Sequence, residues 1–160
     1  MSASPDHIER IMAVMDEAFD PAYGEAWSKR QIADALDLPS TNGLVVDASG
    51  NPIPSESVGE NAPLSAGFVL TRKAADEEEL LLIAVIPQFR RQGLGESLIH
   101  KLFERAQQAG VRRVFLEMRR GNPAIHLYEK VGFKPIGERP NYYHLANGDR
   151  VDAITFGYTI

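Results

Sequence analysis

Cysteine is absent from this chain, which removes disulfides, thiolate nucleophiles and cysteine-ligated metals from consideration. Histidine is scarce. The four, at His7, His100, His126 and His144, show neither H-x-x-x-H nor H-E-x-x-H spacing, so no metal site is expected. Positive charge is not in surplus: 17 Lys and Arg stand against 22 Asp and Glu, a net charge of −5. That balance argues against a general nucleic-acid binder. Long hydrophobic runs are missing too, since the longest strongly apolar stretch, Leu80 to Ile86, is too short to cross a bilayer. Met1 to Asp20 lacks the basic-then-apolar order of a secretory signal. These absences lead us to expect a cytoplasmic protein with no membrane partner and no direct nucleic-acid partner. What remains is 160 residues, 44% of them hydrophobic. A chain of that length buries about two-thirds of its unfolded surface, enough for one self-sufficient domain over residues 1–160.

Ser4-Pro5 reads as an N-cap and first helical position, followed by Ile8, Ile11, Met12, Met15 and Phe19 on one helical face and closed by Pro21. Ser28 to Gln31 is a capping-box pattern, opening a second helix with Ile32, Ala35 and Leu36 inward and Pro39 as its stop. Leu44 to Asp47 reads as a short strand. Residues 48–63, rich in Ser, Asn, Pro, Gly and Glu, read as a long exposed loop. Leu64 to Thr71 and Glu79 to Val85 are the next strands, with a charged turn between them; the acidic run Asp76 to Glu79 reads as solvated. Leu80 to Val85 does not alternate, as expected of a strand covered on both faces.

Past Pro87 and Arg90 to Gly95, a helix carries Leu98, Ile99, Leu102, Phe103 and Ala106 on one side and ends at Gly110. Val111 to Met118 is a strand. Asn122-Pro123 caps a helix bearing Ala124, Ile125, Leu127, Tyr128 and Val131, stopped by Gly132. Phe133 to Glu138 and Val151 to Tyr158 form a final antiparallel pair, with a tight-turn signal at Asn147-Gly148. His7, His100 and His126 read as surface residues on helices, and Trp27 as packing. The outline α-α-β-β-β-β-α-β-α-β-β predicts a mixed α/β sheet with helices on both faces.

Chemistry concentrates where a buried strand runs into Arg90-x-x-Gly93-x-Gly95 and a helix. Glycines let backbone approach a ligand, and free N–H groups at a helix start cradle anions, helped by the dipole and by Arg90 and Arg91 upstream. A pyrophosphate suits such a cradle. It is not a P-loop, because Gly95 is followed by Glu96-Ser97 rather than Lys-Ser/Thr. Nor is it a dinucleotide fingerprint, because Leu98 stands where the third glycine belongs. A plain turn and helix start is the commoner explanation of a lone G-x-G, and the flanking arginines and buried strand weigh against it here. Tyr128 on an apolar helix face reads first as a core tyrosine, and Glu117 as either an outward strand residue or a functional one.

The stretch Ile83-Ala84-Val85-x-Pro-x-Phe-Arg-Arg-Gln-Gly-Leu-Gly resembles motif A of the GNAT superfamily of N-acetyltransferases. Leu116-Glu117-Met118-Arg119 and Asn122-Pro-Ala-Ile-His-Leu-Tyr128-Glu-Lys-Val-Gly-Phe133 continue it into motif B. Arg139-Pro-Asn-Tyr142-Tyr143, Asp152-Ala-Ile and the early Ala26-Trp27-Ser28 resemble the ribosomal-protein-alanine N-acetyltransferases (RimI-type) in particular. The resemblance implies a mixed, mostly antiparallel twisted sheet and acetyl-CoA as co-substrate. It implies that Ile83, Ala84 and Val85 line the pantetheine arm, that Arg90, Arg91, Gln92, Gly93, Leu94, Gly95 and Glu96 wrap the pyrophosphate, and that Asn122 touches the cofactor. Glu96 stands where many relatives carry a basic residue, leaving the attraction there to backbone donors. By the same resemblance Glu117 is the base, direct or through water, Tyr128 the acid for the leaving thiolate, and Tyr142 and Tyr143 walls for the acceptor. The implied reaction is acetyl transfer to a primary amine, foremost the N-terminal α-amine of a protein such as a small-subunit ribosomal protein. A small amine or lysine acceptor, or a non-catalytic CoA-binding module, are the alternatives.

Overall fold

The computed structural model describes residues 5–20, 25–55 and 64–160. The Ser4 cap, the Pro21 stop and the 56–63 part of the expected loop lie outside these residues. Helix α1 (Pro5–Ala18) is amphipathic and turns Ile11, Val14 and Met15 fully inward. His7 is buried on that same face, 3% exposed, which corrects the surface assignment: it shares the inward stripe with Ile11 and lies against Gly43. Helix α2 (Lys29–Leu36) carries the expected capping box, with Ser28 Oγ accepting from the Gln31 amide and the Gln31 side chain accepting from the Ser28 amide. It ends at Leu36, before Pro39 is reached.

Strand β1 (Thr41–Val46) pairs with a two-residue strand β2 (Pro52–Ile53) that interrupts the expected loop. Asp47 builds this hairpin, its carboxylate accepting from the Ser49 and Asn51 amides. Strands β3 (Gly67–Ala74) and β4 (Glu77–Val85) extend through the expected charged turn, leaving only Ala75-Asp76 as the connection. Glu77 to Glu79 are therefore strand rather than solvated turn, and only Asp76 of the acidic run stays in the turn. Glu79 pairs with Arg72 at 2.8 Å, Glu77 with Arg113 at 2.6 Å, and buried Glu78 faces Arg105 at 3.9 Å.

Helix α3 (Leu94–Gln108) leads to β5 (Arg113–Arg119), then α4 (Ile125–Val131), β6 (Lys134–His144) and β7 (Arg150–Thr159). The strands form a seven-stranded sheet in the order β2-β1-β3-β4-β5-β7-β6, in which only β4 and β5 run parallel. A parallel pair needs a crossover, and α3 supplies it. One apolar cluster packs α3 and α4 on the sheet through Leu98, Ile99, Leu102, Tyr128 and Phe133. The other packs α1 and α2 on the opposite face through Ile11, Val14, Met15, Ile32 and Leu36. Helices thus cover both faces, as the patterning predicts. Among the described residues no helix is long and apolar enough to cross a membrane.

Candidate active site

The site begins where the sheet comes apart. β4 and β5 pair only over Glu77–Glu79 and Arg113–Phe115. Just beyond, Leu70 pairs with Leu82 while Thr71 pairs with Leu80, so Leu81 is an extra residue in β4. Such a bulge bends its strand, and β4 leaves β5 there. The amide of Ile86 bonds to Ala66 O at 2.9 Å. By antiparallel alternation Ala84 then bonds toward β3, while Ile83 and Val85 turn their backbone groups toward the open seam. This shifts the pantetheine-lining expectation from Ala84 onto Ile83 and Val85. Val85 O already accepts from Arg90 Nε at 3.0 Å, and Arg90 Nη2 donates to Ala18 O at 2.8 Å. Arg90 thus ties the end of β4 to the end of α1.

At the end of the seam the chain makes a 3₁₀ turn (Pro87–Phe89) and then two left-handed residues, Arg91 at φ 64° and Gly93 at φ 82°. Gln92 lies exposed between them, its side-chain amide near Gln88 O at 3.4 Å. A Cβ on Gly93 would meet nothing within 4 Å, so glycine is needed there for its φ and not for room. Gly93 is the N-cap of α3 and offers no side-chain cap, so the first-turn amides of Leu94, Gly95 and Glu96 are left to a ligand or solvent. Leu94 is buried and anchors this turn. Gly95 lets α3 approach α4, since a Cβ there would stand 2.9 Å from Leu127 Cδ2. Glu96 faces α4. It pairs with Lys130 at 2.9 Å and His100 at 3.5 Å, and Lys130 above all holds its carboxyl below the usual range. Its charge is thus matched by α4.

The third part gathers at the far end of β5. Glu117 is partly buried, with Oε2 at 3.2 Å from Arg139 Nε on β6. The Arg139 guanidinium lies over the Tyr142 ring, 5.1 Å from its centroid, and Tyr142 meets Tyr143 edge-on at 5.1 Å. Burial, and next the Glu117 charge, push the Tyr143 phenol up to about 12. Tyr128 on α4 is buried against Phe133, and burial, then the charge of Glu25, raises its phenol far above the ordinary range. Asn122 Oδ1 accepts from the Ala124 amide at 2.9 Å, while Nδ2 donates to Glu25 Oε2 at 3.3 Å. Glu25 also lies 3.5 Å from Arg119 Nε.

The structure therefore brings Glu117, Tyr142 and Tyr143 together, with Tyr128 and Asn122 joined to the group through Glu25, whose charge also reaches Tyr143. Sequence reasoning missed Glu25, and no local signal marks it. Its partners stand almost a hundred residues away. Among the described residues no cluster of His, Asp and Glu suits a metal ion.

Comparison with known proteins matches a family model, the acetyltransferase (GNAT) family, to residues 10–133. A ribosomal protein bS18-alanine N-acetyltransferase of Haemophilus influenzae is 38% identical over 88 residues, 55% of this chain and 60% of its own length. The protein of the same description from Escherichia coli is 42% identical over 96 residues, 59% of this chain and 64% of its own length. The matched stretch thus spans less than two-thirds of either relative. The crystal structure of the ribosomal-protein-S18-alanine N-acetyltransferase from Escherichia coli superposes with a TM-score of 0.77 at 28% identity, covering 100% of this chain and 92% of that one.

Proposed function

Because the chain belongs to the acetyltransferase (GNAT) family, we propose that it transfers acetyl from acetyl-CoA to the N-terminal α-amine of a protein, as a single domain working in the cytoplasm. The observation that carries this reading is the β4–β5 seam, open after three pairs and ending at the Gly93–Gly95 turn. An extended pantetheine arm fits the backbone edge of Ile83 and Val85, and a pyrophosphate fits the first-turn amides of α3. Arg91 supplies nearby positive charge, and Asn122 stands at the head of α4 beside the reacting end. Bound there, acetyl-CoA supplies a thioester carbonyl and a thiolate leaving group.

Glu117 is the group that takes the amine's proton, directly or through water, as nitrogen bonds to the acetyl carbon and the carbon–sulfur bond breaks. Tyr128 is the group that would protonate the departing sulfur. Its raised pKa keeps the phenol protonated across the working range, so it always has a hydrogen to donate to the developing thiolate. Tyr142 and Tyr143 wall the approach of the acceptor's first residues.

An α-amine titrates near about 7.7–8.0 against roughly 10.4 for lysine, so far more of it is nucleophilic at neutral pH. A site with one carboxylate base gains most from that acceptor. The relatives described as acetylating the alanine of ribosomal protein bS18 support the same choice. The test compares a free peptide beginning with Ala or Ser against the same peptide with its amine blocked and an internal lysine, at pH 7. Mass spectrometry should find label on the α-amine and much slower lysine labelling. Equal or faster labelling of lysine overturns the N-terminal reading.

A further inference from the structure

Strand β6 does not run evenly beside β7. Arg139 pairs with Ala153 and Tyr143 with Val151, four steps along β6 against two along β7, so two residues are extruded between them. The extruded stretch is Pro140-Asn141-Tyr142, and Asn141 sits in the left-handed region at φ 55°. Nearly all of β6 is exposed, so core packing does not hold this distortion in place. The bond to its crest comes from one carboxylate. Asp152 Oδ1 accepts from the Asn141 amide at 2.9 Å, and Oδ2 lies 3.2 Å from Arg120 Nε. The Asp152 carbonyl also accepts from the Arg120 amide at 2.8 Å, and the Arg120 side chain reaches on to Glu138 of β6. The same carboxylate therefore bonds the crest of the extrusion and the turn that follows β5.

We propose that Asp152 is a positioning residue for the acceptor: by pinning the Asn141 amide it sets Tyr142 and Tyr143 beside Glu117 and so tunes affinity for the acceptor without touching it. Without the pin the extrusion can relax into even pairing. With Arg139 held opposite Ala153, taking up two extruded residues moves Tyr143 two positions along β7, roughly 7 Å, on the same face and away from Glu117. The inference rests on the reading of Tyr142 and Tyr143 as acceptor walls. It involves no atom of the acetyl-CoA seam, which lies across β5.

The test uses the full chain with Asp152→Ala, Asp152→Asn and Asn141→Gly, steady-state kinetics on a free N-terminal peptide, and calorimetry of acetyl-CoA. Asp152→Ala should raise the peptide KM about tenfold or more, with acetyl-CoA Kd within twofold of the parent. Asp152→Asn keeps an acceptor for the Asn141 amide but sets an amide against Arg120, so an intermediate KM is expected. Asn141→Gly keeps both the amide donor and the positive φ, so its KM should stay near that of the parent. A general loss of structure would instead move acetyl-CoA affinity with peptide KM, and that result overturns the proposal. Unchanged peptide KM in a folded Asp152→Ala or Asp152→Asn protein overturns it as well. If the parent acetylates no free N-terminus, the acceptor reading fails and takes this inference with it; if the parent does and the variants match it, only this inference fails.

Discussion

Tyr143 is a residue on which burial and charge act in the same direction. Both disfavour its phenolate, burial first and the Glu117 carboxylate next, and the phenol holds its proton to about 12 against 10.0 for an unperturbed one. Between those values an unfolded tyrosine has ionised while the folded one has not, so this residue's contribution to stability is complete below pH about 10 and is lost as pH rises toward 12. Ultraviolet titration should show Tyr143 and Tyr128 ionising after the ordinary phenols. Tyr143→Phe should remove one late step and flatten the alkaline limb of the stability curve, and an unchanged late step would mean that another phenol carries it. At Tyr128 the prediction concerns rate. Tyr128→Phe keeps the ring in its cluster with Phe133 but loses the donor to the thiolate. A drop in kcat of about 10²-fold, with acetyl-CoA Kd unchanged by calorimetry, is expected. Full activity would remove Tyr128 from the mechanism.

The elements that meet at the seam separate shape from function. Gly93 and Gly110 flank α3, both at positive φ (82° and 79°) and both with open space where a Cβ would go. A side chain at either costs roughly 1–2 kcal/mol of left-handed strain. Only Gly93 sets the amides of the cradle, so Gly93→Val should raise acetyl-CoA Kd more than tenfold, about 1.4 kcal/mol, while Gly110→Ala lowers stability and leaves Kd alone. Equal Kd values for the two variants would show that the turn does not hold the pyrophosphate. Elements of this kind were legible because their signals are local: a capping box at Ser28, glycines at Gly93 and Gly132, an apolar stripe on α3. Ends and outliers were not. Glu78 looks solvated until Arg105 of α3 is laid beside it, and His7 looks exposed until α1 is docked over Gly43. The β2 hairpin is closed by Asp47, through its carboxylate and its backbone, which a composition rich in turn formers conceals.

Across the whole molecule, the parts of the site carried by contiguous motifs could be read in advance, while those made by distant strands crossing could not. Arg139 reaches Glu117 only because β7 lies between β5 and β6, and Glu25, just ahead of α2, bonds Asn122 at the head of α4. Glu25 ties the residues ahead of α2 to Asn122 at the head of α4 and to Arg119 at the end of β5. Its partner Arg119 is largely buried, so deleting the carboxylate strips a charge-assisted contact from a group that water cannot easily reach. Glu25→Ala should therefore cost about 1–3 kcal/mol, a fall in Tm of several degrees for a chain of this size. Glu25→Gln keeps an oxygen for Asn122 and removes the charge, so it should retain most of the stability. Both variants remove the negative charge beside Tyr128, and the phenol should ionise at lower pH in each. Calorimetric melting and tyrosine titration of the two variants together decide it. If Glu25→Ala melts with the parent and leaves the Tyr128 titration where it was, Glu25 does not tie these elements together at the site.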